Sequence, residues 1–507
     1  MATPFAVLLA VPQKRCYTTS SMDYETVIGL EVHSHLLTES KMFCSCSADY
    51  INAAPNTHVC PVCLGMPGVL PVINQQALKY TVMTALALNC TIPEYTKFDR
   101  KNYPYPDLMK GYQISQYDTP ISIDGWMDIE IEVQQKRIGI TRVHLEEDTA
   151  KLLHRHTPEG ESYSLMDVNR SGVPLMEIVS EPDLRSPEEA RQYLIKLRAI
   201  LQFLSVSTGN MEDGSFRCDA NISIRPSGRA EHSTKVEVKN MNSFKSVYRA
   251  LEYEDKRQKE VLETGGTIVQ ETRGWIEERG VTVSQRSKEY AHDYRYFPEP
   301  DLPPMAFSRT WVEELGAKLP ELPDARRNRF MEQYGLSPYD AGLLTTSKAM
   351  ADYFEDCVSL TEGPNLEKRT KTVSNWLLGD FTRLLHSTST DISDCKVTSK
   401  HLTEMLDLIE QGTLSGAAAK TVLEDMFSDG KRASEIIAEK GLTQISDTKE
   451  VEDIIAQVIA SNAQAVDDFK RGKGKALTFL VGQVMRLTKG RANASLVNEL
   501  LKEKLEG

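Results

Sequence analysis

The chain has 507 residues, 40% hydrophobic and 26% charged, which suits a soluble protein of about two to four domains with ample cores. Its net charge of -13, from 59 basic and 72 acidic residues, excludes a surface that attracts nucleic acid as a whole, so any polyanion site must be local. No run approaches the ~18 consecutive apolar residues of a membrane span.

Residues 1–22, MATPFAVLLAVPQKRCYTTSSM, carry Lys14 and Arg15, are rich in hydroxyls and hold no acid before Asp23. That is the composition of an organelle transit peptide, with cleavage expected between Arg15 and Tyr17. A secretory signal would place its positive charges ahead of the apolar run FAVLLAV, whereas here they follow it.

The first strand pattern is VIGLEVH at 27–33. Alternation puts Ile28, Leu30 and Val32 on one face and Glu31 with His33 on the other. Four cysteines follow in one window, Cys44, Cys46, Cys60 and Cys63, as C-x-C, thirteen residues, then C-P-V-C. Two close thiol pairs are what a closed, structural zinc site requires; reduced buried thiols, or disulfides in a secreted chain, are the other readings. His58 beside them reads as a loop residue. GMPGVL at 65–70 is a turn cluster, and 74–88 reads as a helix.

Residues 97–118, KFDRKNYPYPDLMKGYQISQYD, interleave Tyr103, Tyr105, Tyr112 and Tyr117 with Lys97, Arg100, Lys101 and Lys110. Such a stretch can stack a nucleobase and reach phosphates, or form a loop packed by its own rings. RVHLEEDTAK at 142–151 sets Glu146, Glu147 and Asp148 at the end of an alternating strand, well placed for a metal or simply a solvated turn. In DVNRSGVPLMEIVSEPD, 167–183, Asn169, Arg170 and Ser171 precede a turn. Glu177 lies between Met176 and Ile178, where a carboxylate is costly unless paired or metal-bound. Ser186-Pro187-Glu188-Glu189 caps and opens a helix to about Leu204 whose Leu194, Leu197 and Leu201 read as core.

Residues 213–242, DGSFRCDANISIRPSGRAEHSTKVEVKNMN, are two alternating runs joined by a turn, the pattern of paired antiparallel strands. Ala220, Ile222 and Ile224 oppose Asp219, Asn221, Ser223 and Arg225; Val236 and Val238 oppose Lys235, Glu237 and Lys239. Carboxylates, an imidazole, a lysine and an amide on one sheet face are the ingredients for holding divalent cations against phosphate oxygens. A helix over 246–263 comes next, and 270–275 with 290–301 close the domain. Beyond residue 305 helical patterns replace alternation, at 324–334, 349–360, 373–385, 402–410, 417–426 and 451–459. The tail concentrates Lys470, Arg471, Lys473, Lys475, Arg486, Lys489 and Arg491 around an apolar helix at 476–487. These could grip an RNA backbone or simply solvate a helix end. Neither a G-x-x-x-x-G-K-[ST] loop nor a G-x-G-x-x-G turn occurs, and no amidase nucleophile motif is present, so ammonia chemistry would need another chain.

These motifs, with NRSGVPLMEIVSEPD, RCDANIS, EVKNMNS, DYRYFPEPD and LVGQVMRLTKGRANASLVNELL, resemble the B-subunit family of glutamyl-tRNA(Gln) amidotransferases over residues 24–507. The resemblance implies an α+β chain: a glutamine-synthetase-like antiparallel-sheet cradle with a zinc module at 44–63 (23–305), an all-α domain (306–395) and a small helical, tRNA-binding tail (396–507). It implies ATP- and magnesium-dependent phosphorylation of the side chain of glutamate misattached to tRNA(Gln), then amidation with ammonia from a partner amidase A subunit, in a complex with a small third subunit. The transit-like start makes the mitochondrial matrix the expected location. Carried over motif by motif, Glu31, His33, Glu146, Glu147, Glu177 and Asp219 form the magnesium pool. Arg170 and Lys239 neutralise phosphate, Asn221 orients ligand or water, and Cys44, Cys46, Cys60 and Cys63 hold zinc. His33 is an unusual partner for magnesium, which prefers oxygen. Two other classes stand beside this one: a non-catalytic tRNA-binding adaptor with structural zinc, and a metal-dependent hydrolase that turns over without ATP.

Overall fold

The structure is a computed structural model describing residues 23–132, 134–228, 233–287, 293–360, 366–442, 448–471, 473–488 and 491–506. Residues 1–22, read above as a transit peptide, lie outside the described residues, as do 290–292 and Lys489. The chain forms two compact units, Met1–Leu319 and Pro320–Gly507.

The first unit is built on an eight-stranded sheet of β1 (Tyr24–His35), β2 (Ser122–Ile131), β3 (Gln134–Glu147), β4 (Pro174–Ser180), β5 (Phe216–Pro226), β6 (Val236–Met241), β7 (Glu271–Ile276) and β8 (Val281–Ser287). Their spatial order is β8-β7-β6-β5-β1-β4-β3-β2, antiparallel throughout except between β6 and β7. The alternation read from the sequence fixes which face is buried. Ile28, Leu30 and Val32 on β1, Ala220, Ile222 and Ile224 on β5, and Val236 and Val238 on β6 are all at most 3% exposed. Each such side chain contributes about 1.5–3 kcal/mol on burial, and a one-residue slip would turn the set outward, so the register is strongly specified.

Helices α1 (Gln75–Ala87), α2 (Pro187–Phe203) and α3 (Phe244–Glu263) pack on the sheet, and α4 (Arg309–Ala317) packs on α1. Leu194, Leu197 and Leu201 of α2 are fully buried, as their spacing suggests. Caps explain the starts. Asn74 Oδ1 accepts from the N–H groups of Gln76 and Ala77, and Ser186 Oγ accepts from Glu189 N. Ser243 Oγ accepts from Ser246 N at 3.0 Å, which starts α3 at Phe244, ahead of the expected 246. The segments expected only to close the domain do more: Glu271–Ile276 is β7, and Phe297–Pro298 joins Asp99–Asn102 and Tyr112–Ser115 in a three-stranded sheet that carries the tyrosine-rich stretch.

The second unit is helical. The helix expected at 373–385 is interrupted by a π turn at Leu377–Phe381, where Gly379 (φ -95°, ψ -105°) leaves helical geometry. Near the end of the chain, Val451, Ile455, Val458, Leu480, Val484, Val497 and Leu501 form a core of their own. The apolar helix of the basic tail spans Gly474–Leu487, and Lys473 pairs at 3.0 Å with Asp468 just upstream of it.

Candidate active site

With the apolar face covered, the other face of the sheet gathers charge. β1 lies between β5 and β4, so Glu31 stands opposite Asp219 and His33 opposite both Arg217 and Glu177. On β3, His144 faces Glu177, with Glu146 two residues on along the same face. The result is two three-ligand groups sharing His33: Glu31, His33 and Asp219, and His33, Glu146 and Glu177. Within each group one ligand atom per residue lies within 4.8 Å of the others. His33 Nε2 is 3.2 Å from Glu177 Oε2, 3.5 Å from Glu31 Oε1 and 3.9 Å from Glu146 Oε1.

Electrostatics follow from this crowding. Burial alone would push the His33 imidazole down, but its hydrogen bond to Glu177 and the charges of Glu177, Glu146 and Glu31 raise it to about 9. Burial and the Glu177 and Asp219 charges raise the carboxyl of Glu31. Glu177 goes the other way: burial opposes ionisation, yet His144, His33 and Lys101 hold its carboxyl well below the usual range. The acids outnumber the partners that the strands supply, a donor set rich in carboxylate oxygen and suited to hard divalent cations. Cationic groups ring it. Lys239 pairs with Asp219 and lies 3.3 Å from Glu237; Arg142 Nη2 is 3.8 Å from Glu177 Oε1. Lys101 Nζ stands over the rings of Tyr294 and Tyr103, 5.1 and 5.8 Å from their centroids. Beside the cluster opens a cleft of about 670 Å³ whose lining includes Gly29, Glu31, Ser180, Arg185, Asn221 and Arg225.

Two residues assigned to this site from the sequence stand elsewhere, and both readings need correction. Glu147 alternates onto the face opposite Glu146, where its Oε1 takes a hydrogen bond from Ile114 N at 3.0 Å and pairs with Lys110. Arg170 donates to the carbonyls of Thr149 (2.9 Å) and Ala150 (3.0 Å) and lies 3.4 Å from Asp148. It helps to anchor the sheet end rather than reaching the acids. Asn221 lines the cleft and Lys239 flanks Asp219.

Sequence reasoning missed His144, only 1% exposed, with Nε2 3.5 Å from Glu177 and 3.7 Å from Glu146. Its two-residue spacing from Glu146 was the available signal. Ser115, whose Oγ donates to Glu146 Oε2 at 2.9 Å, gave none. Also unforeseen is the knot at Asp148, which accepts from His35 Nε2 at 2.6 Å and Arg217 Nη2 at 2.8 Å.

The cysteine window folds into one cluster, with the four sulfurs within 4.8 Å of one another. Cys60 and Cys63 are 3.9 Å apart at sulfur. A tetrahedral ion with bonds of about 2.3 Å needs sulfur edges of about 3.8 Å, so the spacing fits a shared ion and is far beyond a disulfide. A hydrogen bond from Cys44, working against burial, draws the Cys63 thiol down to about 4. Lys41, 1% exposed, braces the window from below, donating to the carbonyls of His58 (2.8 Å) and Val168 (3.3 Å).

Fold and site together define an α+β protein whose sheet carries an acidic cluster able to hold divalent cations. Comparison with known proteins is specific: residues 26–313 match the GatB/GatE catalytic domain and residues 352–505 the GatB domain. The chain is 59% identical over 487 residues to the B subunit of the aspartyl/glutamyl-tRNA(Asn/Gln) amidotransferase of Dehalococcoides mccartyi, covering 95% of this chain and 99% of that protein. It is 56% identical over 483 residues to the protein of the same name from Carboxydothermus hydrogenoformans, covering 95% and 99%. The one from Caldanaerobacter subterraneus is 56% identical over 484 residues, covering 96% and 100%. The chain therefore belongs to the GatB family of amidotransferase subunits, ligases that form carbon–nitrogen bonds.

Proposed function

We propose that this subunit activates the side-chain carboxylate of glutamate misattached to tRNA(Gln) with ATP and converts it to the amide, giving Gln-tRNA(Gln). The observation that carries this reading is the pair of three-ligand groups sharing His33 on one sheet face, with the cleft opening beside Glu31. A free carboxylate is a poor electrophile. Its oxygen attacks the terminal phosphorus of ATP, the bond to the bridging oxygen breaks, and ADP leaves. Ammonia then adds to the acyl carbon and loses a proton, and phosphate departs with the electrons of its carbon–oxygen bond.

Glu31, His33, Asp219, Glu146 and Glu177 would hold magnesium, and His33, a nitrogen donor, is the least suited of them. Magnesium, when bound, offsets the charge that builds on the transferring phosphoryl group. Lys239, beside Asp219, adds a fixed positive charge at the same place, and Asn221 orients what enters the cleft. Cys44, Cys46, Cys60 and Cys63 would hold zinc in a closed, structural shell. Because the chain carries no amidase nucleophile motif, ammonia comes from a partner amidase subunit, and a small third subunit completes the complex. The names of the relatives, which include both aspartyl- and glutamyl-tRNA, and the basic tail from Lys470 to Arg491 support an RNA substrate. The basic, acid-free residues 1–22 support delivery to the mitochondrial matrix.

The test is ATP turnover by the assembled complex. Turnover should require misacylated tRNA and disappear in Glu31→Ala while RNA binding persists. ATP turnover unchanged by that substitution would remove the assignment.

A further inference from the structure

Resting on that function, we infer that Tyr117, stacked on Tyr296, is the platform for the terminal base of the acylated RNA. The two rings lie parallel, 4.3 Å between centroids and 9° between planes. Tyr117 is 53% exposed, so its outer face is open to a further ring. Its backbone is fixed, because Tyr117 N donates to Asp99 Oδ2 at 3.0 Å, and Asp99 is itself buried. The lower ring is also braced: Tyr294 meets Tyr296 edge-on at 6.1 Å and Tyr103 at 5.6 Å. A stacked pair with one open face, set on rigid neighbours, is pre-organised for base stacking, which every base can satisfy with its π face.

Position relates this platform to the chemistry. Ser115 donates directly to Glu146, and Tyr117 stands two residues farther on, about 7 Å along the chain. That leaves room for a ribose and a glutamyl side chain between a base on Tyr117 and a carboxylate at the cluster. Tyr296 feels the same field, since burial first, and then the charges of Glu146 and Glu177, raise its phenol to about 12. The other opening of the cluster, the cleft beside Glu31 with Asn221, Arg185 and Arg225, is more enclosed and is left for the nucleotide. An exposed, rim-mounted ring suits the end of a strand that arrives from solvent better than a free nucleotide.

The experiment compares, on the assembled complex, equilibrium binding of acylated tRNA with that of the same tRNA lacking its terminal nucleotide, and also measures KM for acylated tRNA and for ATP. Wild type should bind the truncated RNA more weakly, and Tyr117→Ala should abolish that difference. Tyr117→Ala should raise KM for the RNA about 5- to 150-fold, the range of one lost base–aromatic stack, with KM for ATP unchanged. Tyr117→Phe and Tyr117→Trp should restore the wild-type values, because stacking needs the ring and not the hydroxyl. Wild type binding both RNAs equally, or Tyr117→Ala raising KM for ATP and not for RNA, would overturn the assignment. Loss of ATP turnover in wild type itself would instead count against the underlying function, while the binding comparison would still decide the platform.

Discussion

Replacing Asp148 by Asn tests how the end of the sheet beneath the acidic cluster is held. Asp148 is 4% exposed; it accepts from His35 Nε2 at 2.6 Å and Arg217 Nη2 at 2.8 Å, with Arg170 Nε 3.4 Å away. Arg217 in turn faces His33 across the β1–β5 register, so the knot reaches the site through a single side chain. Asparagine keeps the shape but removes the charge that opposes two guanidinium groups. Breaking a fully buried pair costs about 3–5 kcal/mol. Here the side chains of Arg217 and Arg170 are 36% and 23% exposed, and solvent recovers part of that loss, so a destabilisation of about 2–3 kcal/mol is expected. The pH dependence has a definite sign. Burial raises the carboxyl of Asp148, but Arg217, Arg170 and His35 outweigh it and hold it well below the usual range. Stability from a depressed carboxylate is complete above its unfolded value of about 3.9 and drains away as pH falls toward the folded one. The gap between wild type and Asp148→Asn should therefore be flat between about pH 5 and 8 and shrink below about pH 4. Urea unfolding followed by tryptophan fluorescence measures it, with Trp126, Trp275 and Trp311 in the first unit and Trp376 in the second. A variant within about 0.5 kcal/mol of wild type at neutral pH, or a gap undiminished at about pH 3, would refute the reasoning.

Cys60→Ser should abolish zinc binding, read by chelator absorbance after denaturation, and lower the melting temperature of the first unit by on the order of 5–10 °C. A wild-type protein free of zinc after purification with the metal present would contradict the cysteine assignment. Gly125→Ala places a Cβ 2.2 Å from Cys90 Sγ and 2.8 Å from the Leu88 carbonyl. It should cost about 1–3 kcal/mol in chemical denaturation, and adding Cys90→Ala should recover only the sulfur's share, since the backbone carbonyl cannot rotate away.

What the sequence revealed depended on how local its signals were. VIGLEVH and RCDANIS state their own face by strict alternation, so the partnership of Glu31, His33 and Asp219 needed only the guess that the two runs belong to one sheet. Glu177 was legible as an expense, an acid inside an apolar run, though its partners His33 and His144 come from two other strands. His144 and Glu147 mark the limit. The run of three acids at 146–148 drew Glu147 into the pool, although alternation along β3 already put His144 and Glu146 together and turned Glu147 away. Ser115, Arg217 and the His35–Asp148 contact could not be read at all, because each joins segments distant in sequence, with no pattern in either. The second unit follows its helical periodicity except at Gly379, whose off-helix conformation no apolar spacing announces.

The most direct test of the central claim traps the activated carboxylate. The assembled complex is given Glu-tRNA(Gln), ATP and magnesium, without an ammonia donor but with hydroxylamine, and the RNA-linked product is examined by mass spectrometry. The account predicts a glutamyl side-chain hydroxamate on the tRNA that requires ATP and falls about 100- to 1000-fold in rate in Glu177→Gln, a substitution that leaves RNA binding intact. Hydroxamate formed without ATP, or formed equally well by Glu177→Gln, would contradict the claim that this acidic sheet face drives phosphorylation of the substrate.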